Sequence, residues 1–275
     1  MKFSRGEERA YLPGTHAFIV SSLFLALIGC TNIVSPDKNL PEPIPSISRD
    51  PSELVKGLAQ RLEQFRSLRA LASVSYSGRD GKGSFQEAVV VRRPDRLRLE
   101  TLSPLGAILI VTVNGQEIIG FHPREALFLR GKSSKENLLR YTQVPLELHE
   151  LTLLLIGLPP VEIHGRWEGE GNSIYRDIGG GRKDAVAFDP ALVVPIKWER
   201  SRDGGEIELR AIFSDYSSTP AGSFPLKISV EAPAQQRWVE IRYQEPELNA
   251  TFPSDLFVQE KPGNVKELPI ESLGG

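Results

Sequence analysis

The chain has 275 residues, with 33 Lys and Arg against 35 Asp and Glu, for a net charge of −2. That balance argues against a nucleic-acid partner, which would call for a strongly basic face. The single cysteine excludes an internal disulfide, so the fold must stand on its hydrophobic core.

Residues 1–29 read as a secretory signal. Lys2, Arg5 and Arg9 make a basic start, diluted by Glu7 and Glu8, and the apolar run "AFIVSSLFLALI" follows at 17–28. That run is too short to span a bilayer as a helix, which takes ~20 residues. The stretch Leu27-Ile28-Gly29-Cys30 resembles the bacterial lipobox. The resemblance implies cleavage before Cys30, a thioether diacylglycerol on its sulfur and an acyl chain on its nitrogen. Three acyl chains would hold the protein firmly, since each buried CH₂ contributes ~0.8 kcal/mol. An ordinary secretory signal with an incidental cysteine is the plainer alternative. Thr31 stands where an inner-membrane retention signal would have Asp, which favours the outer membrane.

Residues 31–50 carry Pro36, Pro41, Pro43 and Pro45 and read as an extended tether reaching up to ~60 Å. A helix is expected next, capped by Asp50 or Ser52, with Pro51 in its first turn. Leu54, Leu58, Leu62 and Phe65 form its apolar stripe. From residue 68 the period changes to two, as strands require. "LRALASVSYSG", "SFQEAVVVR", "DRLRLETL", "AILIVTV", "QEIIGF" and "ALFLR" are separated by turn residues, including Asn114-Gly115. "LSPLG" (102–106) is the odd turn, because Leu102 and Leu105 flank Ser-Pro104 where polar residues belong.

Residues 132–145 are polar and read as a loop, and "PLELHELTLLLIG" (145–157) as a second helix ended by Gly157. "VEIHGRWEG", "SIYRDI", "AVAF", "VVPIKWER", "EIELRAIFSDY", "FPLKISVEA" and "RWVEIRYQ" supply further strands. The expected fold is mainly β with two or more helices. About 11 strands would form an open, incomplete antiparallel barrel over residues 51–275, without an internal domain boundary. An interior left unfilled in such a sheet becomes a ligand cavity. Its candidate lining is the apolar strand faces: Leu97, Leu99, Ile108, Ile110, Ile118, Phe128, Trp167, Ile196, Trp198, Ile212 and Phe213. The helices bearing Leu54, Leu58 and Leu62, and Leu153 to Ile156 with Leu154 among them, are the candidate lid.

Catalytic patterns do not emerge. His122, His149 and His164 stand apart from one another, no pair has metal-ligand spacing, and no nucleophile elbow or phosphate loop is present. "GGGRK" (179–183) reads as a hairpin turn. "RRPDRLR" (92–98) reads as a solvated face, or as a patch for anionic head groups. The expectation is a non-enzyme without cofactor or metal.

The order of these features resembles a known group. A lipobox, a Pro-rich tether and one helix lead to "DRLRLETLSPLG", then a helix ending "LLIGLPP" (154–160), then a strand-rich half. This resembles the LolB-like outer-membrane lipoproteins of the LolA/LolB carrier superfamily, over most of residues 51–260. The resemblance implies an open barrel whose apolar cavity takes acyl chains. It implies a LolA-like carrier and lipidated cargo as partners, and a monomer lipid-anchored at the periplasmic face of the outer membrane. It also implies that Leu105, at the tip of its loop, serves to insert the cargo into the bilayer. The tail "LNATFPSDLFVQEKPGNVKELP" (248–269) is closer to the LolA-type carriers. A structural lipoprotein with a filled interior and an envelope hydrolase with a polar cleft are the rival readings. A carrier of another hydrophobic ligand is a third.

Overall fold

Among the described residues the first element is a capped helix, α1 (Pro51–Gln64), in which Asp50 accepts from the Ser52 backbone N–H at 2.8 Å and Leu54 and Leu58 are buried. The computed structural model describes residues 49–79 and 81–272, all within one unit, Pro45–Gly275. The expected signal, Cys30 and nearly all of the tether lie outside the described residues. Two antiparallel meanders follow α1. The first is β1 (Ser67–Gly78), β2 (Gly81–Arg92), β3 (Arg96–Ser103), β4 (Gly106–Asn114), β5 (Glu117–His122) and β6 (Leu127–Lys132). Helices α2 (Lys135–Thr142) and α3 (Leu148–Leu155) lead to the second. That one comprises β7 (Glu168–Glu170), β8 (Ser173–Gly179), β9 (Arg182–Phe188), β10 (Pro195–Arg202), β11 (Ile207–Thr219), β12 (Gly222–Ala232) and β13 (Arg237–Leu248). A final short strand is β14 (Lys266–Pro269).

All the strands join one sheet of 14, in the order β14-β6-β5-β4-β3-β2-β1-β13-β12-β11-β10-β9-β8-β7. β1 pairs with β13, so Val74 faces Ile241 and the first and last long strands are neighbours. The terminal strands, β14 and β7, do not pair with each other, so the sheet is not closed. One hydrophobic cluster takes Leu54 and Leu58 from α1, Leu97 and Ile118 from the first meander, and Ile174 and Trp198 from the second. A single core fed from both meanders requires the sheet to curl round it.

The structure corrects several expectations. Among the described residues there are 14 strands rather than about 11, while the three α-helices agree with the two or more expected. The polar stretch 132–145 contains α2, capped by Ser134 Oγ accepting from Asn137 N–H at 3.3 Å. It buries only Asn137 and Leu138, too few apolar positions to show a period. Of "VEIHGRWEG" only Glu168 and Gly169 enter a strand, the short β7. Ahead of β7, Arg176 Nη1 donates to the carbonyls of Glu162 (2.6 Å) and His164 (2.7 Å), and a side chain thus takes the place of a partner strand. β14 is parallel to β6, pairing Leu268 with Leu129, so the sheet is not antiparallel throughout.

Helix α3 is buried on nearly every side. Its one buried charge, Glu150, accepts from Arg200 Nη1 at 2.6 Å, and Arg200 holds Asp184 with two further bonds of 2.9 and 3.2 Å. The guanidinium also lies 5.1 Å from the Trp198 ring centroid. Thr152 Oγ1 donates to Pro94 O and Tyr243 Oη to Leu155 O, both at 2.8 Å. Gly157 ends the helix at φ 78°, and a Cβ there would fall 2.8 Å from Pro225, so only glycine fits. Breaking one arm of a buried ion network is expected to cost about 3–5 kcal/mol. Asp184→Ala should therefore lower the unfolding free energy of residues 31–275, read from urea titration, by that amount, with a matching fall in the midpoint. An unchanged midpoint would show that the network does not hold α3.

Candidate apolar cavity and its rim

The two halves of the curled sheet are filled differently. Under the second meander, Trp198, Phe213 and Phe224 are fully buried together with Leu54 and Leu58 of α1. Over β13, β1, β2, β3 and β4 the inward side chains are smaller, and a cavity of about 490 Å³ remains. Val74, Val89, Leu99, Leu109, Val239 and Ile241 form its sheet wall. Leu151, Leu154 and Leu155 of α3 face them, and Arg140, Tyr141 and Thr142 of α2 complete it.

The lining runs out to one set of hairpin tips. Gly78 and Gly81 of the β1–β2 turn and His122 and Glu125 of the β5–β6 turn belong to it. The β3–β4 turn lies at the same ends of the strands. Arg124 Nη2 donates to Ser103 Oγ at 2.9 Å, which ties two of these turns together. Ser103 Oγ also donates to Gly106 O at 2.8 Å and accepts from Leu105 N–H at 3.3 Å. This small network fixes the tip, and Leu105 projects from it 90% exposed. Pro104 is exposed beside it and Leu102 is half-buried.

Of the residues expected to line a cavity, Leu99 and Ile108 do so, as does Leu154 from the expected lid. Leu97, Ile118, Trp198 and Phe213 are packed in the main core, as are Leu54 and Leu58. Phe128 packs in a separate cluster with Ile119 and Val265. Ile110, Ile196 and Ile212 are half-buried and do not line the cavity. Trp167 borders a shallow depression with Pro51 and Val55 of α1, and Leu62 borders another with Arg66 and Arg93. Sequence reading missed Val74, Val89, Leu109 and Ile241, because alternation marks the inward face without saying where that face is left bare. It also missed Glu87, whose signal was present: a carboxylate between Phe85 and Val89 on the inward face of β2.

Electrostatics single out that carboxylate. Burial pushes Glu87 from the ordinary 4.5 up to about 7, against a smaller opposing pull from the Thr101 hydroxyl, which donates to Oε1 at 3.3 Å. Burial also raises Tyr141 to about 12. Tyr243 is raised by burial and then by the charge of Glu87. At the mouth, His122 Nδ1 lies 3.4 Å from Glu125 Oε2. His149 and His164 are exposed and apart, and no group of three metal-ligating side chains occurs among the described residues. The basic run 92–98 is engaged within the protein. Arg93 Nη1 donates to Phe65 O at 3.0 Å, Arg92 lies over the Phe257 ring, and Arg98 Nη1 donates to Leu256 O at 3.2 Å.

No family model matches the chain, and no curated protein matches it. Solved structures do. A domain assigned to outer-membrane lipoprotein sorting, from Vibrio parahaemolyticus, is similar at 12% identity and TM-score 0.52, over 76% of this chain and 97% of that one. A LolA superfamily protein from Nitrosomonas europaea is similar at 14% identity and TM-score 0.50, over 77% of this chain and 99% of that one. This chain shares their fold. A DUF1329 family protein from Desulfovibrio piger is similar too, at 10% identity and TM-score 0.53, over 76% and 98% of the two chains. The likeness supports the LolA-type architecture, whereas the narrower LolB reading rests on "SPLG" and "IGLPP".

Glu87 gives stability a pH dependence of defined sign. The folded protein holds this proton more tightly than the unfolded chain does. Its contribution is therefore full below about pH 4.5 and is lost as the pH rises to about 7. A shift of this size corresponds to about 3 kcal/mol. Glu87→Gln should flatten that part of the profile, so urea unfolding at pH 5 and pH 8 should differ less in the variant. Equal differences in both proteins would contradict the assignment.

Proposed function

We propose that this protein is a non-enzymatic acceptor of lipidated proteins, holding their acyl chains in the cavity between the sheet and helices α2 and α3. The cavity itself carries this reading. It has the volume of a small-molecule site, roughly 300–1,000 Å³, and its walls are mostly apolar. Each Å² of acyl chain sheltered there gains about 25 cal/mol, without chemical input. Transfer then needs only a gradient of affinity from carrier to cavity to bilayer. A structural lipoprotein with a filled interior would lack such a space.

In this proposal Cys30 carries the lipid anchor, the protein sits at the periplasmic face of the outer membrane, and a LolA-like carrier delivers the cargo. The fold it shares with lipoprotein-sorting and LolA superfamily structures supports the class. Leu105, exposed on the rim of the mouth, is the part that touches lipid. Burying one leucine contributes roughly 1.5–3 kcal/mol, too little to anchor a protein and enough to orient a mouth against a bilayer. Helices α2 and α3 serve as the cover over the chain.

The test uses residues 31–275, incubated with a lipidated protein held by its carrier and with the unlipidated form. Only the lipidated cargo should be captured. Leu105→Glu should capture it equally and, with the anchor restored, deliver several-fold less to liposomes. Capture of neither cargo would overturn the proposal.

A further inference from the structure

An acyl cavity has no need of a carboxyl group, yet Glu87 stands in the middle of this one. Its neighbours on β2, Phe85 and Val89, share the inward face with it, and the register places it beside Thr101 of β3 and Ala72 of β1. The Thr101 hydroxyl is its one hydrogen-bond partner among the described residues, at a long 3.3 Å, and it has no ion-pair partner there. Glu87 is among the residues that line the cavity. Helix α3 presents only Leu151, Leu154 and Leu155 to this space, β1 presents Val74 and Tyr76, and α2 presents Tyr141, whose hydroxyl is buried without a hydrogen-bond partner among the described residues. Tyr243, behind Glu87 on β13, already spends its hydroxyl on Leu155 O. The charged groups His122, Glu125 and Arg140 line the cavity from the β5–β6 end and from α2.

A mostly apolar wall that holds a buried carboxyl with a single long hydrogen bond calls for a ligand that supplies a further partner. A hydrocarbon chain cannot. The carbonyl oxygen of an ester or amide, at the head of an acyl chain, can accept from the protonated carboxyl. We propose that Glu87 is a polar subsite that holds the carbonyl of an ester- or amide-linked acyl chain, so that the cavity reads the linkage as well as the hydrocarbon. This rests on the acceptor reading above and adds to it a specificity-determining residue. Burial keeps Glu87 largely protonated below about pH 7, the state in which it donates. Above that pH the donor is gone, and a bound chain would cover a bare carboxylate.

The probe is diphenylhexatriene, a plain hydrocarbon, bound by residues 31–275 and displaced by either methyl palmitate or hexadecyl methyl ether. At pH 6 the ester should displace it at about tenfold lower concentration than the ether. That preference should fall towards unity at pH 8.5. Glu87→Leu should bind the probe and lose the preference at both pH values. Glu87→Gln, whose amide N–H also donates, should keep the preference at both. His122 and Glu125 remain in every variant, so a pH effect arising at the mouth would persist in Glu87→Gln and overturn the assignment to Glu87. Retention of the preference in Glu87→Leu, or its absence from the unmodified chain at pH 6, would overturn the subsite alone. Failure of the unmodified chain to bind diphenylhexatriene would overturn the cavity reading together with it.

Discussion

A helix that is buried on nearly every side must be surrounded, and its inward charge must then be answered inside the protein. Helix α3 sets that condition. Its sequence, LHELTLLL, leaves only His149 to water, and Glu150 is carried inward with the leucines. Arg200 answers that carboxylate while also holding Asp184, so one guanidinium links α3 to two strands of the second meander. Thr152 and Tyr243 add bonds to the β2–β3 turn and to β13. The sheet therefore has to bend until both meanders reach the same helix. A buried charge left with half its partners is costly, and this makes the placement of α3 specific rather than merely greasy.

The cavity follows from where the large side chains fall. Trp198, Phe213 and Phe224, with α1 beneath them, consume the space under the second meander. Valine, leucine and isoleucine on the strands opposite α3 do not reach far enough to do the same. Close packing is the rule in protein interiors, so a space of about 490 Å³ with mostly apolar walls is a departure from it. The strands that form this wall end in the turns carrying His122 and Leu105, which places the way in and the exposed leucine on one rim.

Much of the architecture was legible in the period of two from residue 68 onward, in Asn114-Gly115, and in the proline and glycine bounding the helices. Elements with little apolar period escaped. α2 is built on capping and on the buried Asn137, whose amide donates to Lys132 O and Glu271. β14 exists because β6 offers it an open edge, a property of the partner rather than of "KELP" itself. The site was less legible than the fold. Leu105 stood out because a leucine at a turn defies turn chemistry. The wall residues did not, since Val74 and Leu97 are alike as letters while one borders space and the other is packed against neighbours. Telling them apart required knowing that α1 and the aromatic residues would claim one half of the interior.

The described chain enters at Arg49, whose guanidinium donates to Pro190 O in the β9–β10 turn, at the end of the strands opposite the mouth. Under the proposed anchoring this arrangement poses a problem of distance. The longest strand, β11, has 13 residues and so spans about 43 Å. For the rim to meet the bilayer that holds Cys30, the segment before Arg49 has to run back past the full height of the sheet. The 18 residues between Cys30 and Arg49, read from the sequence as an extended tether, would reach about 56 Å, enough to do so with a little slack. Under that proposal the tether would be a measured leash, long enough to let the open sheet stand mouth-down on its own membrane and too short to let it wander far from it.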